Sequence, residues 1–129
     1  MTSDETALIV GANRGIGLAV VAEFAARGLR VIATARNLGA AQALRDLGVR
    51  YPDRIDILQV DMNASATIDA LVGALAGRRL DVALINAGVS GPAHRSADAA
   101  TAAEIGDLMY VNAVAPIRLA RAQIGRAHV

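Results

Sequence analysis

The chain has 129 residues, of which 54% are hydrophobic, and a formal net charge of +1. That is enough for one domain, too apolar for a disordered segment, and too balanced for electrostatic steering towards nucleic acid or an anionic membrane. There is no cysteine, which excludes a disulfide framework and a thiolate site, and the basic residues are thirteen arginines with no lysine.

The first residues, Met1-Thr2-Ser3-Asp4-Glu5, are polar and acidic and lack the basic start and apolar core of a signal peptide. No apolar run approaches the ~20 residues needed to cross a bilayer, so a soluble cytoplasmic protein is expected. Aromatics are limited to Phe24, Tyr51 and Tyr110, so the core must be aliphatic, which suits a parallel sheet packed between helices. Ala7–Val10 reads as a first strand. It runs into the glycine-rich stretch Gly11-Ala12-Asn13-Arg14-Gly15-Ile16-Gly17, and a helix is expected over Gly15–Arg27. In that helix Ile16, Val20 and Phe24 recur every four residues, with Leu18, Val21 and Ala25 filling the same stripe, and Gly28 is placed to stop it. Arg30–Ala35 is the second strand. A helix over Gly39–Leu47 is expected to end at Gly48, and the turn Tyr51-Pro52-Asp53 leads to a third strand, Ile55–Val60. Ile68, Leu71, Val72 and Leu75 mark a helix over Ala66–Ala76, closed by Gly77. The fourth strand is Asp81–Asn86, followed by a loop over Ala87–Ala99 with Gly88, Gly91 and Pro92. Thr101-Ala102-Ala103-Glu104 reads as a capping box opening a helix to about Ala122, in which Pro116 removes one hydrogen bond and introduces a kink.

Strands alternating with helices imply βαβ units and a parallel sheet. The expected fold is α/β: a Rossmann-type doubly wound sheet in the strand order 3-2-1-4, truncated after about four strands. A ligand then belongs over the carboxyl ends of the first and fourth strands, where the winding reverses. Strand, glycine turn and helix open a dinucleotide-binding unit. Gly11 makes the tight turn, Gly15 admits a pyrophosphate, Gly17 lets helix and strand approach, and the helix N-terminus offers N–H groups to phosphate. Other polar groups fall just past the strand ends: Asn13 and Arg14, Arg36, Asp61 with Met62, and Asn86. Each has a plainer reading. The glycines serve as turns anywhere, arginines are commonly solvated, aspartate caps helices, and asparagine closes strands or sits buried as a structural polar group. His94 and His128 have no partners that would make a metal or base site.

In combination these motifs resemble the short-chain dehydrogenase/reductase family over residues 6–123. Gly11, Gly15 and Gly17, with Asn13, Arg14 and Ile16 between them, match its glycine motif. Val10 departs from it, standing where the family usually has a threonine whose hydroxyl helps tie the turn. Asp61 matches the family's aspartate near the adenine, Asn86-Ala87-Gly88 its Asn-Ala-Gly signature beside the cofactor, and Asn112 the asparagine of its catalytic tetrad. Residues 31–37 and 86–92 are most similar to carbonyl-reductase-like and C-factor-like members. The resemblance implies an oxidoreductase that transfers hydride between a nicotinamide cofactor and a small carbonyl or alcohol substrate, commonly as a homo-oligomer built on the Asn112 helix.

A dinucleotide without a 2′-phosphate is usually held by an acid at the end of the second strand. Ala35 stands there, followed by Arg36, with Arg14 in the glycine loop; two guanidinium groups and no repelling acid favour NADP over NAD. The resemblance also implies a serine and a Tyr-x-x-x-Lys pair beyond the Asn112 helix. With no lysine in the sequence that pair is not in this chain, and Ser90 and Ser96 precede the helix. Residues 1–123 are therefore expected to be an incomplete NADP-binding domain without turnover, with the fourth strand a sheet edge and the fragment marginally stable. Residues 124–129, Ile-Gly-Arg-Ala-His-Val, carry no fold signal and correspond to a short-read adapter string, so a non-native tail is expected. Two other readings remain, a nucleotide-sensing module and a Rossmann methyltransferase, which Ala35-Arg36 disfavours; a P-loop NTPase is excluded by the absence of Gly-Lys-Ser/Thr.

Overall fold

The structure, a computed structural model, describes residues 5–86 and 101–103. Four strands form one parallel sheet: β1 (Thr6–Val10), β2 (Arg30–Ala35), β3 (Ile55–Gln59) and β4 (Val82–Ile85), in the order β3-β2-β1-β4. This is the order expected from the alternation of strands and helices. The helices are α1 (Gly15–Ala26), α2 (Gln42–Arg50) and α3 (Ser65–Ala74), and a single 3₁₀ turn over Leu38–Ala40 precedes α2. The helix expected from Thr101 lies outside the described residues except for a helical backbone at 102–103.

The pleat of the central strand divides the core. Ala7 and Ile9 of β1 pack with Val31, Ala33 and Ala35 of β2 under α1 and α2, against Val21, Ala25 and Leu44. Leu8 and Val10 point to the other face, joining Ile32, Val60, Met62 and the α3 residues Ile68 and Leu71. Every residue of β1 is buried, as a strand covered on both faces requires. Each large aliphatic side chain buried this way contributes roughly 1.5–3 kcal/mol of transfer free energy, which conformational entropy largely offsets.

Two expectations shift at the helices. In α1 the buried stripe is Gly17, Val21 and Ala25, while Ile16 is 70% exposed. Gly17 is pressed against the glycine turn, which fixes the rotation of the helix and leaves Ile16 about 100° round the axis, facing out. Leu18, Val20 and Phe24 are partly buried beside the stripe. The helix ends as expected at Gly28. The Gly28 N–H bonds Ala25 O and the Leu29 N–H bonds Phe24 O, both at 3.0 Å, the paired bonds of a Schellman ending.

The second helix does not end at Gly48. It starts later than expected, at Gln42, and runs through Gly48 to Arg50, where Tyr51-Pro52 ends it. Gly48 is a packing position: a Cβ there would lie 3.2 Å from Cδ1 of Ile57, the flexible tip of a side chain on β3. Gly48→Ala is therefore expected to be neutral or to stabilise by up to about 1 kcal/mol, the helical preference of alanine outweighing a small displacement of Ile57. Chemical denaturation checks this; a loss of stability would show that Ile57 cannot yield.

The parallel strands bring their carboxyl ends to one edge. Ile9 pairs with Ala33, Val10 with Ile85, and Ala35 with Gln59. The residues following the four strands therefore line a common rim. Among the described residues no helix is long and apolar enough to cross a membrane.

Candidate functional site

The rim over β1 is built by the glycine turn. Gly11 and Gly15 both take positive φ, 81° and 59°, a conformation strained for any residue with a Cβ. Two bonds from β2 fasten the turn: the Ala12 N–H donates to Thr34 O at 2.8 Å, and the Gly11 N–H donates to Thr34 Oγ1 at 3.2 Å. Thr34 is completely buried. A hydroxyl missing at Val10 is thus matched by one supplied from the neighbouring strand, a role the sequence signalled only as a polar residue within the otherwise apolar run Val31–Ala35. On the other side, Gly17 sits so close that a Cβ there would be 2.0 Å from Gly11 O.

The turn delivers the N-terminus of α1 to the rim. Arg14 is the N-cap in an extended conformation, and its side chain makes no capping hydrogen bond. No acidic residue occupies the first turn. Among the described residues the leading N–H groups and the positive end of the helix dipole are therefore not neutralised by a capping or first-turn acidic side chain, which is the arrangement that holds a phosphate. The Arg14 side chain is exposed, as is Ile16, and space around Gly15 is open, with nothing within 4 Å of where its Cβ would be. Asn13 is half-buried in the same turn.

Past β2 the last strand residue, Ala35, is 1% exposed and packs in the core. No carboxylate stands at this strand end. Arg36 follows, exposed, with its carbonyl accepting a bond from Gln59 Nε2 at 3.1 Å. Among the described residues neither Arg14 nor Arg36 forms a salt bridge, whereas Arg27, Arg78 and Arg79 pair with Glu23, Asp56 and Asp81.

Past β3 the chain makes a tight turn before α3. Asp61 Oδ1 accepts the Asn63 N–H at 2.9 Å, and Asp61 O accepts the Ala64 N–H at 2.9 Å. Ala64 is the N-cap of α3 and offers no side-chain bond, so Asp61 shapes the approach to the helix without capping it. Asp61 Oδ2 has no bond among the described residues. Met62 is 3% exposed and its side chain packs with Leu8 and Val10; any contact it makes with a ligand runs through its backbone. Its N–H has no hydrogen bond among the described residues. Thr67, which the sequence reading passed over, ties this turn together; its spacing six residues after Asp61 was the available signal.

Past β4 the exposed Asn86 donates its N–H to Val10 O at 2.8 Å, which keeps this rim position beside the glycine turn. Ala87, Gly88 and Asn112 lie outside the described residues. The structure thus brings Gly11, Asn13, Arg14, Gly15, Ile16, Gly17, Arg36, Asp61, Met62 and Asn86 to one edge of one sheet. Among the described residues no cluster of three or more His, Asp or Glu side chains could hold a metal.

This geometry has close counterparts. The family model for short chain dehydrogenase matches residues 5–126. The short chain dehydrogenase gsfK of Penicillium aethiopicum is 31% identical over 121 residues, covering 91% of this chain and 48% of that protein. A carbonyl reductase from Pseudomonas aeruginosa PAO1 in complex with NADP aligns with a TM-score of 0.89 and 37% identity, over 96% of this chain and 54% of that one. A short-chain dehydrogenase from Streptomyces avermitilis aligns with a TM-score of 0.85 and 32% identity, over 96% of this chain and 44% of that one. The chain spans about half the length of these relatives. With the family model covering nearly all of it and the glycine turn, rim and strand order in place, the chain belongs to the short-chain dehydrogenase family.

Proposed function

We propose that this chain is the cofactor-binding part of an NADP-dependent short-chain oxidoreductase acting on carbonyl or alcohol substrates. The observation that carries the reading is the rim: an uncapped helix N-terminus, two arginines without salt-bridge partners among the described residues, and no carboxylate at the end of β2. Together these fit a pyrophosphate and a ribose 2′-phosphate. Asp61 and Met62 fit the adenine edge, since a carboxylate oxygen and a backbone N–H that make no hydrogen bond among the described residues can accept from its amino group and donate to its ring nitrogen. Ile16, exposed on the first turn of α1, offers an apolar surface to the same ligand. Through the family motifs they match, Asn86-Ala87-Gly88 is assigned to cofactor binding and Asn112 to the tetrad asparagine. A relative's bound NADP, in the Pseudomonas aeruginosa carbonyl reductase, supports the choice of dinucleotide.

When bound, the dinucleotide supplies a hydride. This chain's own residues grip and orient it; the Tyr-x-x-x-Lys pair is not among them, because the sequence has no lysine. Residues 1–123 then make up the NADP-binding unit of a cytoplasmic homo-oligomer. A second reading, a nucleotide-sensing module without chemistry, is favoured by that same missing lysine. The test is to add NADPH with simple aldehydes and ketones to the chain and follow the cofactor's absorbance. Binding without oxidation is expected. Sustained oxidation would contradict the assignment of catalysis to residues this chain lacks. Sequence of the gene beyond the present chain separates the two readings: a serine followed by Tyr-x-x-x-Lys identifies the enzyme.

A further inference from the structure

We infer that Thr67 is a positioning residue for base recognition, holding the Asp61-Met62 turn in the shape that distinguishes adenine from other purines. The inference rests on the reading of Asp61 and Met62 as the adenine-contacting pair. A single hydroxyl makes the hydrogen bonds that carry it. Thr67 Oγ1 accepts the Asp61 N–H at 2.9 Å and lies 2.8 Å from both Asp61 O and Ala64 O, to which it donates its one proton. The peptide groups on both sides of Asp61 are thereby held by a side chain from the first turn of α3. The helix itself is anchored in the core through Ile68 and Leu71, so the hydroxyl transfers a rigid reference to the loop.

With the backbone held, the Asn63 N–H fixes Asp61 Oδ1, and among the described residues Asp61 Oδ2 is left as an acceptor and the Met62 N–H as a donor without a hydrogen bond. This acceptor–donor order has chemical content. Adenine presents an amino donor next to a ring acceptor. Hypoxanthine presents a carbonyl acceptor next to a ring N–H donor, the inverse pattern, so it would set oxygen against oxygen and N–H against N–H. A rigid turn rejects the inverse edge, whereas a turn free to rotate about Asp61 accommodates it.

The probes are NADPH and its hypoxanthine analogue, nicotinamide hypoxanthine dinucleotide phosphate, titrated against the 129-residue chain and its variants. The wild-type chain should favour NADPH by roughly 10–100-fold, the discrimination of one good bidentate base contact. Thr67→Val, nearly isosteric but without the hydroxyl, should bring that ratio to within about 3-fold. Thr67→Ser should keep it. The NADPH-to-NADH ratio should stay the same in all three, because the 2′-phosphate is read elsewhere. A purely structural role would lower thermal stability and leave the base ratio intact, and that result overturns the inference. If wild type itself does not distinguish the two bases, the adenine reading fails instead. Should Thr67→Val not fold, amide hydrogen exchange in wild type decides. An Asp61 N–H exchanging as freely as an exposed loop amide would overturn the inference, and protection with a Thr67→Ser ratio equal to wild type would support it.

Discussion

Gly17→Ala should cost this chain about 3 kcal/mol of stability or more, at the upper end of what overpacking does. The added Cβ would stand 2.0 Å from Gly11 O, 3.0 Å from Gly11 C and 3.2 Å from Ala12 Cα. All three are backbone atoms, so no side chain can swing aside. Nor can the turn retreat, because Thr34 of β2 holds it through the N–H groups of Gly11 and Ala12. The helix must therefore lift, and lifting α1 opens the contacts of Val21 and Ala25 with the β1–β2 core. For a unit of this size the loss corresponds to a melting temperature roughly 10–20 °C lower. Gly15→Ala is the control. Its Cβ meets nothing within 4 Å, and only the positive φ of 59° opposes it, a strain of about 1–2 kcal/mol. Thermal unfolding of the two variants side by side checks the difference. Equal losses would mean that α1 and the turn are not in the close contact described.

Arg36→Ala should weaken NADPH binding roughly 10–100-fold and change NADH binding by less than about 3-fold. Arg36 is the first exposed residue beyond β2, with no salt-bridge partner among the described residues. It does not have to break a salt bridge to engage a phosphate. Solvent and salt screen an exposed guanidinium, which places the effect nearer the lower bound at physiological ionic strength and higher in dilute buffer. NADH lacks the 2′-phosphate, so it gives this arginine no doubly charged group to hold. Arg14→Ala should do less, since the α1 N-terminus still offers its N–H groups to the pyrophosphate. Parallel losses for both cofactors in Arg36→Ala would place this residue in general structure, not in 2′-phosphate recognition.

Much of the frame was legible because local and global signals agree. Apolar runs such as Ala7–Val10 and Arg30–Ala35 are strands because both faces of the sheet are covered, and Gly28 ends α1 through the bonds a C′ glycine allows. What was misread depended on tertiary contact. Gly48 has the composition of a helix end, yet its role is to let α2 approach Ile57. Ile16 shares a spacing of four with Val20 and Phe24, but the rotation of α1 is set by Gly17 against Gly11, which periodicity cannot see. At the site, residue types marked Arg14, Arg36 and Asp61, which the structure places past the carboxyl ends of β1, β2 and β3. Thr34 and Thr67 escaped notice because their significance lies in hydrogen bonds to backbone groups, one of them reaching from a neighbouring strand. Met62 follows Asp61 past β3, but only the structure shows that its side chain belongs to the core.

On the proposed function, the rim of this sheet holds a dinucleotide carrying a 2′-phosphate. Comparative titration of the wild-type chain with NADPH and NADH, followed by cofactor fluorescence or calorimetry at one fixed salt concentration, tests it most directly. Tighter NADPH binding by at least about 10-fold is the predicted result, the worth of one charge-assisted contact to the extra phosphate. Equal affinities, or tighter binding of NADH, would contradict it.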